Sequence, residues 1–143
     1  MIFKFQKFLD NEIKIKKKEK FSLIIGLNPS VTARSHHLWN KCYSKLKKNN
    51  KMYAADVNKK NLKNLILSLK EEKNFLGCAV TLPYKEKIID YLDSLSPEAK
   101  EISSANIIVN NNKKLIGYNT DYYGSLNSLE ILFKKKKKKK FLF

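Results

Sequence analysis

Two short segments, residues 79–85 and 117–121, constrain the fold of this chain more than any other feature. Each has the pattern of a buried strand that ends in a polar turn, and the two turns carry Lys85 and Asp121. In an open α/β sheet, ligands bind outside the carboxyl ends of the strands. A lysine and an aspartate placed there form a candidate acid/base pair for a bound substrate.

Apolar runs and helical stripes alternate along the rest of the chain. The continuous apolar run at residues 21–27 predicts a buried parallel strand. Four apolar residues from Leu62 to Leu69 recur at the spacing of one helix face. The order predicts a three-layer α/β domain in which helices flank a largely parallel mixed sheet. The predicted strands are residues 21–27, 52–55, 76–82, 106–109 and 114–117, and the predicted helices are residues 33–48, 59–73, 84–92, 97–102 and 122–133.

The cysteines and histidines give no sign of a metal site. Cys42 and Cys78 lack metal-ligand spacing, and we interpret them as two reduced, buried thiols. His36 and His37 are adjacent on the predicted helix 33–48, where neighbouring side chains point about 100° apart. The same helix carries Leu38, Cys42, Tyr43 and Leu46 on one face, and Trp39 is expected to pack.

The net charge of +17 is concentrated towards the two ends of the sequence. Residues 1–20 carry seven lysines against three acidic residues, and residues 134–140 are seven consecutive lysines. Arg34 is the only arginine, although arginine provides the planar bidentate contacts that base readers favour. We therefore expect no specific nucleic-acid partner. Solvated lysine is the interpretation we favour, and diffuse, salt-sensitive binding to polyanions is the alternative.

Charge also suggests three parts: a basic extension at residues 1–20, the α/β domain at residues 21–133 and a low-complexity tail at residues 134–143. The extension is expected to be too charged to pack fully, as a short edge strand or an irregular helix. The tail is expected to be unordered, because like charges repel. No apolar run approaches the roughly 20 residues that span a membrane, and no signal-peptide pattern is present. These observations predict a cytoplasmic location and no membrane partner.

The candidate side chains also have structural interpretations. Lys85 fits an ordinary surface lysine in the first turn of a helix, and Asp121 fits an N-cap of the last helix. Asn106 interrupts an apolar stretch, and a buried asparagine must be paired. Its amide therefore either bridges two loops or holds a ligand.

Four segments taken together resemble shikimate dehydrogenases, specifically their N-terminal substrate-binding domain. They follow the family patterns G-N-P-x-x-H-S-x-S-P-x-x-H-N, G-x-N-V-T-x-P-x-K, G-A-V-N-T and G-x-N-T-D-x-x-G in the same order, and the resemblance extends over residues 21–133. The four segments are GLNPSVTARSHHLWN at residues 26–40, GCAVTLPYKEKIIDYLDSLSPEAKEI at residues 77–102, SSANIIV at residues 103–109 and GYNTDYYG at residues 117–124.

The resemblance implies a role in the NADPH-dependent reduction of 3-dehydroshikimate to shikimate, a step of aromatic amino-acid synthesis. It implies that Lys85 is the catalytic lysine and that Asp121 is its partner at the substrate hydroxyls. It also maps Ser35, Thr81 and Asn106 onto positions that hydrogen-bond the substrate. Shikimate and quinate are not distinguished at this level.

The chain departs from the family patterns at three polar positions, which are Ala33, Ala79 and Ile107 here. Each lost hydrogen bond to a polar ligand costs about 1–3 kcal/mol. A degenerate, non-catalytic binding domain is therefore the alternative function.

The family's NADP-binding domain has no counterpart in the sequence. The chain has four glycines and no G-x-G-x-x-G motif, so we expect no NADP binding and no hydride transfer by this chain alone. The lysine run at residues 134–140 suggests an A-rich gene segment, and we interpret the missing domain as a truncation or a frameshifted pseudogene product. Self-association, or a separate nucleotide-binding chain, is the expected partner.

Overall fold

The computed structural model describes residues 3–140 of the 143, with side chains described as far as residue 134. Its centre is a six-stranded sheet in the order β2-β1-β3-β5-β6-β4. Only β5 is antiparallel to its neighbours β3 and β6, and all other adjacent pairs are parallel. The predicted α/β class is confirmed. The strands are β1 Lys20–Gly26, β2 Asn50–Asp56, β3 Phe75–Val80, β4 Ser94–Leu95, β5 Ile107–Asn111 and β6 Lys114–Tyr118.

Helices lie on both faces of the sheet. Helix α3 packs on the face of the sheet that forms the hydrophobic core. Its predicted apolar stripe is buried there with alternate residues of β1 such as Leu23. Helix α2 contacts β1 and β2 on the other side, near Ser22 and Met52. The helices are α1 Pro29–Thr32, α2 Ser35–Lys45, α3 Leu62–Lys70, α4 Pro97–Glu101 and α5 Thr120–Lys140, and short 3-10 helices occupy Lys4–Phe8, Lys59–Asn61 and Lys87–Tyr91.

The first residues pack more closely than their charge predicts. Phe5, in the 3-10 helix Lys4–Phe8, is fully buried and stacks on Phe21 of β1 with ring centroids 5.6 Å apart. Glu19 is also buried, and it accepts a hydrogen bond of 2.5 Å from the hydroxyl of Tyr53. The segment as a whole does not pack fully, as expected, since Phe5 and Glu19 are the only buried residues within residues 3–20. Its aromatic side chains nevertheless join the core, while its lysines stay outside.

Helix α2 is more exposed than its apolar spacing suggests. Leu38 and Leu46 are 62% and 66% exposed, and Cys42 is exposed rather than buried. The side-chain amide of Asn40 explains the orientation, because it donates to the carbonyl of Met52 (2.9 Å) and accepts from its N–H (2.8 Å). These bonds hold α2 against the free edge of β2. Cys78, by contrast, is buried as predicted, and burial raises the pKa of its thiol.

Residues 84–92 and 134–140 differ from their predicted secondary structure, and helix α1 and strand β4 were not predicted. Residues 84–92 form a turn followed by the 3-10 helix Lys87–Tyr91 instead of an α-helix, although Ile88 is buried as expected. Residues 134–140 were predicted to be unordered but continue α5, because lysine is a good helix former. Residues 141–143 lie outside the described part. No helix within residues 3–140 is both long and apolar enough to cross a membrane.

Candidate functional site

The sheet topology brings the predicted site residues to one edge. Strands β1, β2, β3 and β6 run in the same direction, so their carboxyl ends lie together, and the antiparallel β5 begins at that edge. Thr81 and Lys85 follow β3, Asp121 follows β6, and Asn106 immediately precedes β5. Ser35 begins α2, in the connection after β1. This is the edge at which open α/β sheets bind ligands.

Lys85 and Asp121 form an ion pair although 36 positions separate them in sequence. The Nζ atom of Lys85 donates to Oδ2 of Asp121 at 2.6 Å. The lysine side chain is 32% exposed and the aspartate side chain 57% exposed. Because ion pairs this open to water hold together weakly, a ligand hydroxyl can replace either partner.

The position of Lys85 depends on the buried side chain of Tyr84. The Tyr84 hydroxyl donates to the carbonyl of Val57 (2.6 Å), and its N–H donates to the carbonyl of Thr81 (3.1 Å). Burial, with a smaller contribution from the charge of Asp10, raises the pKa of the Tyr84 phenol. The turn after β3 is therefore anchored in the core while the next residue points to the open edge.

Asp121 does not cap the last helix. Its neighbour Asn119 does so, because Oδ1 of Asn119 accepts the N–H of Tyr122 at 3.1 Å. The Asn119 amide also donates to the carbonyl of Ser104 (2.9 Å). The interpretation of Asp121 as an N-cap is therefore wrong, and its carboxylate is left to meet Lys85.

Asn106 bridges two loops beside the ion pair. Its Oδ1 accepts the N–H of Thr120 at 2.9 Å, and its Nδ2 donates to the Thr120 hydroxyl at 3.0 Å. The residue is 8% exposed, so these bonds satisfy an amide that is costly to leave unpaired. The amide carries a second donor hydrogen. A contact between Asn106 and a ligand stays a prediction.

Thr81 lines a cleft of about 410 Å³ between the end of β1 and the turn after β3. Gly26 makes room for it, since a methyl group at Gly26 would overlap the methyl of Thr81. The hydroxyl of Ser35 is buried and has no hydrogen-bond partner among the described residues. Ser35 and Lys85 are not part of the cleft lining, which consists of Leu27, Asn28, Thr32, Ala33, Thr81 and Leu82.

The three positions that depart from the family patterns have different surroundings. Ala33 lies in the cleft beside Thr81. Ala79 and Ile107 are partners across β3 and β5, and they line an apolar hollow with Trp39 and Tyr43. Only at Ala33 does the lost side chain therefore face the Thr81 cleft.

No metal centre is apparent in the described residues, where no three His, Cys, Asp or Glu side chains cluster. The rings of His36 and His37 lie 3.9 Å apart on α2. Partial burial, together with the neighbouring His37, lowers the pKa of His36. We assign no metal-binding role to this pair.

Comparison with known proteins identifies the family. A family model described as the shikimate dehydrogenase substrate binding domain matches residues 24–108, which is more than half of the chain. The chain belongs to this family. The matched range contains Ser35, Thr81, Lys85 and Asn106, whereas Asp121 lies beyond it.

The most similar curated relatives include NADP(+) shikimate dehydrogenases of two bacteria. That of Clostridium beijerinckii is 44% identical over 107 residues, a stretch that covers 70% of this chain and 39% of the relative. That of Carboxydothermus hydrogenoformans is 38% identical over 118 residues, covering 82% of this chain and 41% of the relative. The chain thus spans about two fifths of the length of these relatives.

Solved structures show the same relationship. Shikimate dehydrogenase from Aquifex aeolicus superimposes with a TM-score of 0.75 at 33% identity, covering 83% of this chain and 44% of that one. The enzyme from Thermus thermophilus, crystallised with NADP(H) and shikimate, gives a TM-score of 0.69 at 27% identity, covering 78% and 41%. The fold of this chain is that of the substrate-binding part of these enzymes.

The glycines of the chain do not form a cradle for a dinucleotide. Such a cradle needs several glycines in one turn that opens a helix. The space beside Gly26 is filled by Thr81, and the space beside Gly77 by the backbone of Ile108. The space beside Gly117 is filled by side chains that include Leu92. Gly124 lies within the exposed helix α5. The four glycines therefore do not form the cradle that the pyrophosphate of NADP needs.

Proposed function

We propose that the strand-end edge binds shikimate or 3-dehydroshikimate, with Lys85 and Asp121 as its acid/base pair. The observation that carries this proposal is the 2.6 Å contact between Lys85 Nζ and Asp121 Oδ2 at the edge where ligands bind in such sheets. The family to which the chain belongs supports the choice of ligand.

The proposed chemistry divides between proton transfer and substrate orientation. In the direction of reduction, the Lys85 ammonium donates a proton to the substrate's C3 oxygen as that carbon accepts a hydride; in the reverse direction the amine takes the proton back. Asp121 holds the lysine and accepts a hydrogen bond from a substrate hydroxyl. Ser35, Thr81 and Asn106 offer hydroxyl and amide groups suited to a carboxylate and a ring of hydroxyls.

We infer that the hydride comes from outside the residues described here, since their glycines form no dinucleotide cradle. We propose that the nucleotide is held by residues beyond these 143, in a longer form of the protein or in a separate chain. Residues 21–133 are then the substrate-binding unit, with Phe5 completing its core. On this proposal, the chain alone binds the substrate without turning it over.

Calorimetric titration of the full chain with shikimate tests the proposal. We expect saturable binding, and we expect Asp121→Asn to weaken it about tenfold, the equivalent of one hydrogen bond to a charged group. Asp90→Asn is the matched control, because Asp90 forms a 2.6 Å ion pair with Lys87, neither residue lines the Thr81 cleft, and the variant should leave the affinity unchanged. Binding that is absent, or equally weakened by both variants, would contradict the proposal.

A non-catalytic binding domain is the second candidate function, and the loss of a polar side chain at Ala33 in the Thr81 cleft favours it. Lys85→Ala distinguishes the two candidates. If Lys85 contacts the substrate oxygen, its removal weakens shikimate binding, whereas Lys87→Ala does not. If both variants bind like the wild-type chain, the second candidate is the better account.

A further inference from the structure

Asp56 links the end of β2 to the helix that forms one wall of the Thr81 cleft. Its Oδ1 accepts the backbone N–H of Ser30 at 2.8 Å, and its Oδ2 accepts the Ser30 hydroxyl. Asp56 is only 9% exposed, so its carboxylate is held in place rather than free in solvent. Both carboxylate oxygens of Asp56 therefore accept hydrogen bonds from the same residue of α1.

Helix α1 needs this acceptor because its own N-cap residue does not supply one. Asn28 makes no capping hydrogen bond with its side chain, although the first N–H groups of a helix have no partner within it. The helix is only four residues long; the N–H groups of Val31 and Thr32 donate to the carbonyl of Asn28, and the N–H of Ala33 donates to the carbonyl of Pro29. Asp56 therefore acts as a cap from a neighbouring strand.

The cap acts on the substrate cleft because α1 and its flanks form one wall of it. Asn28, Thr32 and Ala33 line the cleft together with Thr81 and Leu82. Ser35, a proposed substrate ligand, follows Ala33 by two residues. A displacement of α1 would move this wall and the connection that carries Ser35.

The N-terminal segment in turn holds Asp56. Oδ1 of Asn11 accepts the N–H of Asp56 at 2.7 Å, and Nδ2 of Asn11 donates to the carbonyl of Ala54 at 3.1 Å. The N–H of Asp10 donates to the carbonyl of Asp56 at 2.8 Å. A continuous series of hydrogen bonds thus runs from Asn11 through Asp56 to Ser30.

We propose that Asp56 is a positioning residue for substrate binding, which it supports by capping α1, and that Asn11 belongs to the same device. Its effect on affinity rests on the proposed function, while its effect on α1 does not. Asp56 touches no substrate in this account. It acts through Ser30 and the cleft wall.

Shikimate titration of three variants of the full chain tests the effect on affinity. We expect Asp56→Ala to weaken binding about tenfold, and Asp56→Asn to stay within about threefold of wild type, because an amide can accept the Ser30 N–H and donate to its hydroxyl. The control is Asp93→Ala, which removes a carboxylate that accepts the Leu115 N–H at 2.7 Å outside the cleft. It should lower stability yet keep the affinity.

Hydrogen exchange of individual amides tests the positioning role directly. In Asp56→Ala, the N–H groups of Val31, Thr32 and Ala33 should exchange about tenfold faster, while those of the β1 core keep their wild-type rates. Asp93→Ala should leave the α1 amides unchanged. If the wild-type chain fails to bind shikimate, the proposed function fails, and the exchange rates alone decide this inference. Unchanged exchange at α1 in Asp56→Ala would overturn it, as would unchanged affinity in a chain that binds.

Discussion

Lys85 is partly exposed and Asp121 is exposed, but the residues that hold them in place are buried. Tyr84 is 2% exposed and Asn119 is 5% exposed, and each lies within two positions of one member of the pair. Their hydrogen bonds to backbone groups fix the two turns before any ligand arrives. The pair is therefore positioned by rigid neighbours and remains accessible to a substrate.

Asn106→Ala tests the bridge that holds the turn before α5. The substitution leaves the N–H and hydroxyl of Thr120 without their partner, so we expect a loss of about 1–3 kcal/mol in the free energy of unfolding. We also expect weaker shikimate binding, because Asp121 follows Thr120. Urea denaturation and calorimetric titration give the two readouts.

Asn110→Ala is the control for this variant. Asn110 also bridges by its amide, to the carbonyl of Phe75 and from the N–H of Lys113, but it lies at the far end of β5. The Asn110→Ala variant should lose stability and keep its affinity for shikimate. If both variants lose affinity alike, Asn106 has only a general structural role.

Asp93 makes the free energy of unfolding depend on pH in the acidic range. The pKa of Asp93 lies below its ordinary value. The largest cause is the hydrogen bond from Lys70, and the next is the hydrogen bond from the N–H of Leu115. A lowered carboxyl pKa contributes stability above the unfolded pKa, near 3.9, and that contribution is lost as pH falls through the folded pKa. We expect Asp93→Asn to flatten the fall in unfolding free energy between about pH 5 and pH 2. An equally steep fall in the variant would contradict this assignment.

The site residues could be predicted from sequence only in part. Lys85 and Asp121 lie in turns after apolar strands, and such turns are visible as a change of pattern. The N-cap could not be assigned in the same way, because Asn119 and Asp121 are both good caps and only the backbone decides between them. Asp56 gave no local signal, since its partner Ser30 is 26 positions away.

At the scale of elements, strand β3 depends on a glycine in an unusual conformation. Gly77 has φ of +146°, and a methyl group there would overlap the carbonyl oxygen of Ile108 in β5. We expect Gly77→Ala to cost at least about 2 kcal/mol of stability through backbone strain and the displaced neighbour. Thermal or urea denaturation measures the change.

Gly124→Ala is the matched control for that substitution. Gly124 lies in α5 with open space around it, so alanine should raise stability by about 0.5–1 kcal/mol through its helix propensity. A Gly77→Ala variant as stable as the wild type would contradict the role assigned to β3.

Elements with a clear apolar period were predicted well, and elements set by tertiary contacts were not. The stripe of α3 and the hairpin of β5 and β6 follow directly from periodicity and the Asn-rich turn. The orientation of α2 depends instead on two bonds from Asn40 to Met52, which no local pattern reveals. Strand β4 has two residues, too few for an alternating pattern to show.

At the scale of the whole molecule, the order of the predicted strands and helices indicated the α/β class correctly. Dividing the chain by its charge did not predict how residues 1–20 pack. The lysines of residues 1–20 suggested a separate extension, yet Phe5 stacks on Phe21 and Asn11 bonds to the end of β2. Formal charge describes the exposed side chains of such a segment. Its few buried residues decide where it lies.

The central claim is that shikimate binds at the carboxyl ends of β1, β3 and β6. Titration of the isotope-labelled full chain with shikimate, followed by amide NMR, tests it most directly. We predict saturable shifts centred on the amides of Thr81, Lys85 and Asp121, with little change around the remote 3-10 helix Lys4–Phe8. No saturable shift, or shifts centred away from this edge, would contradict the account.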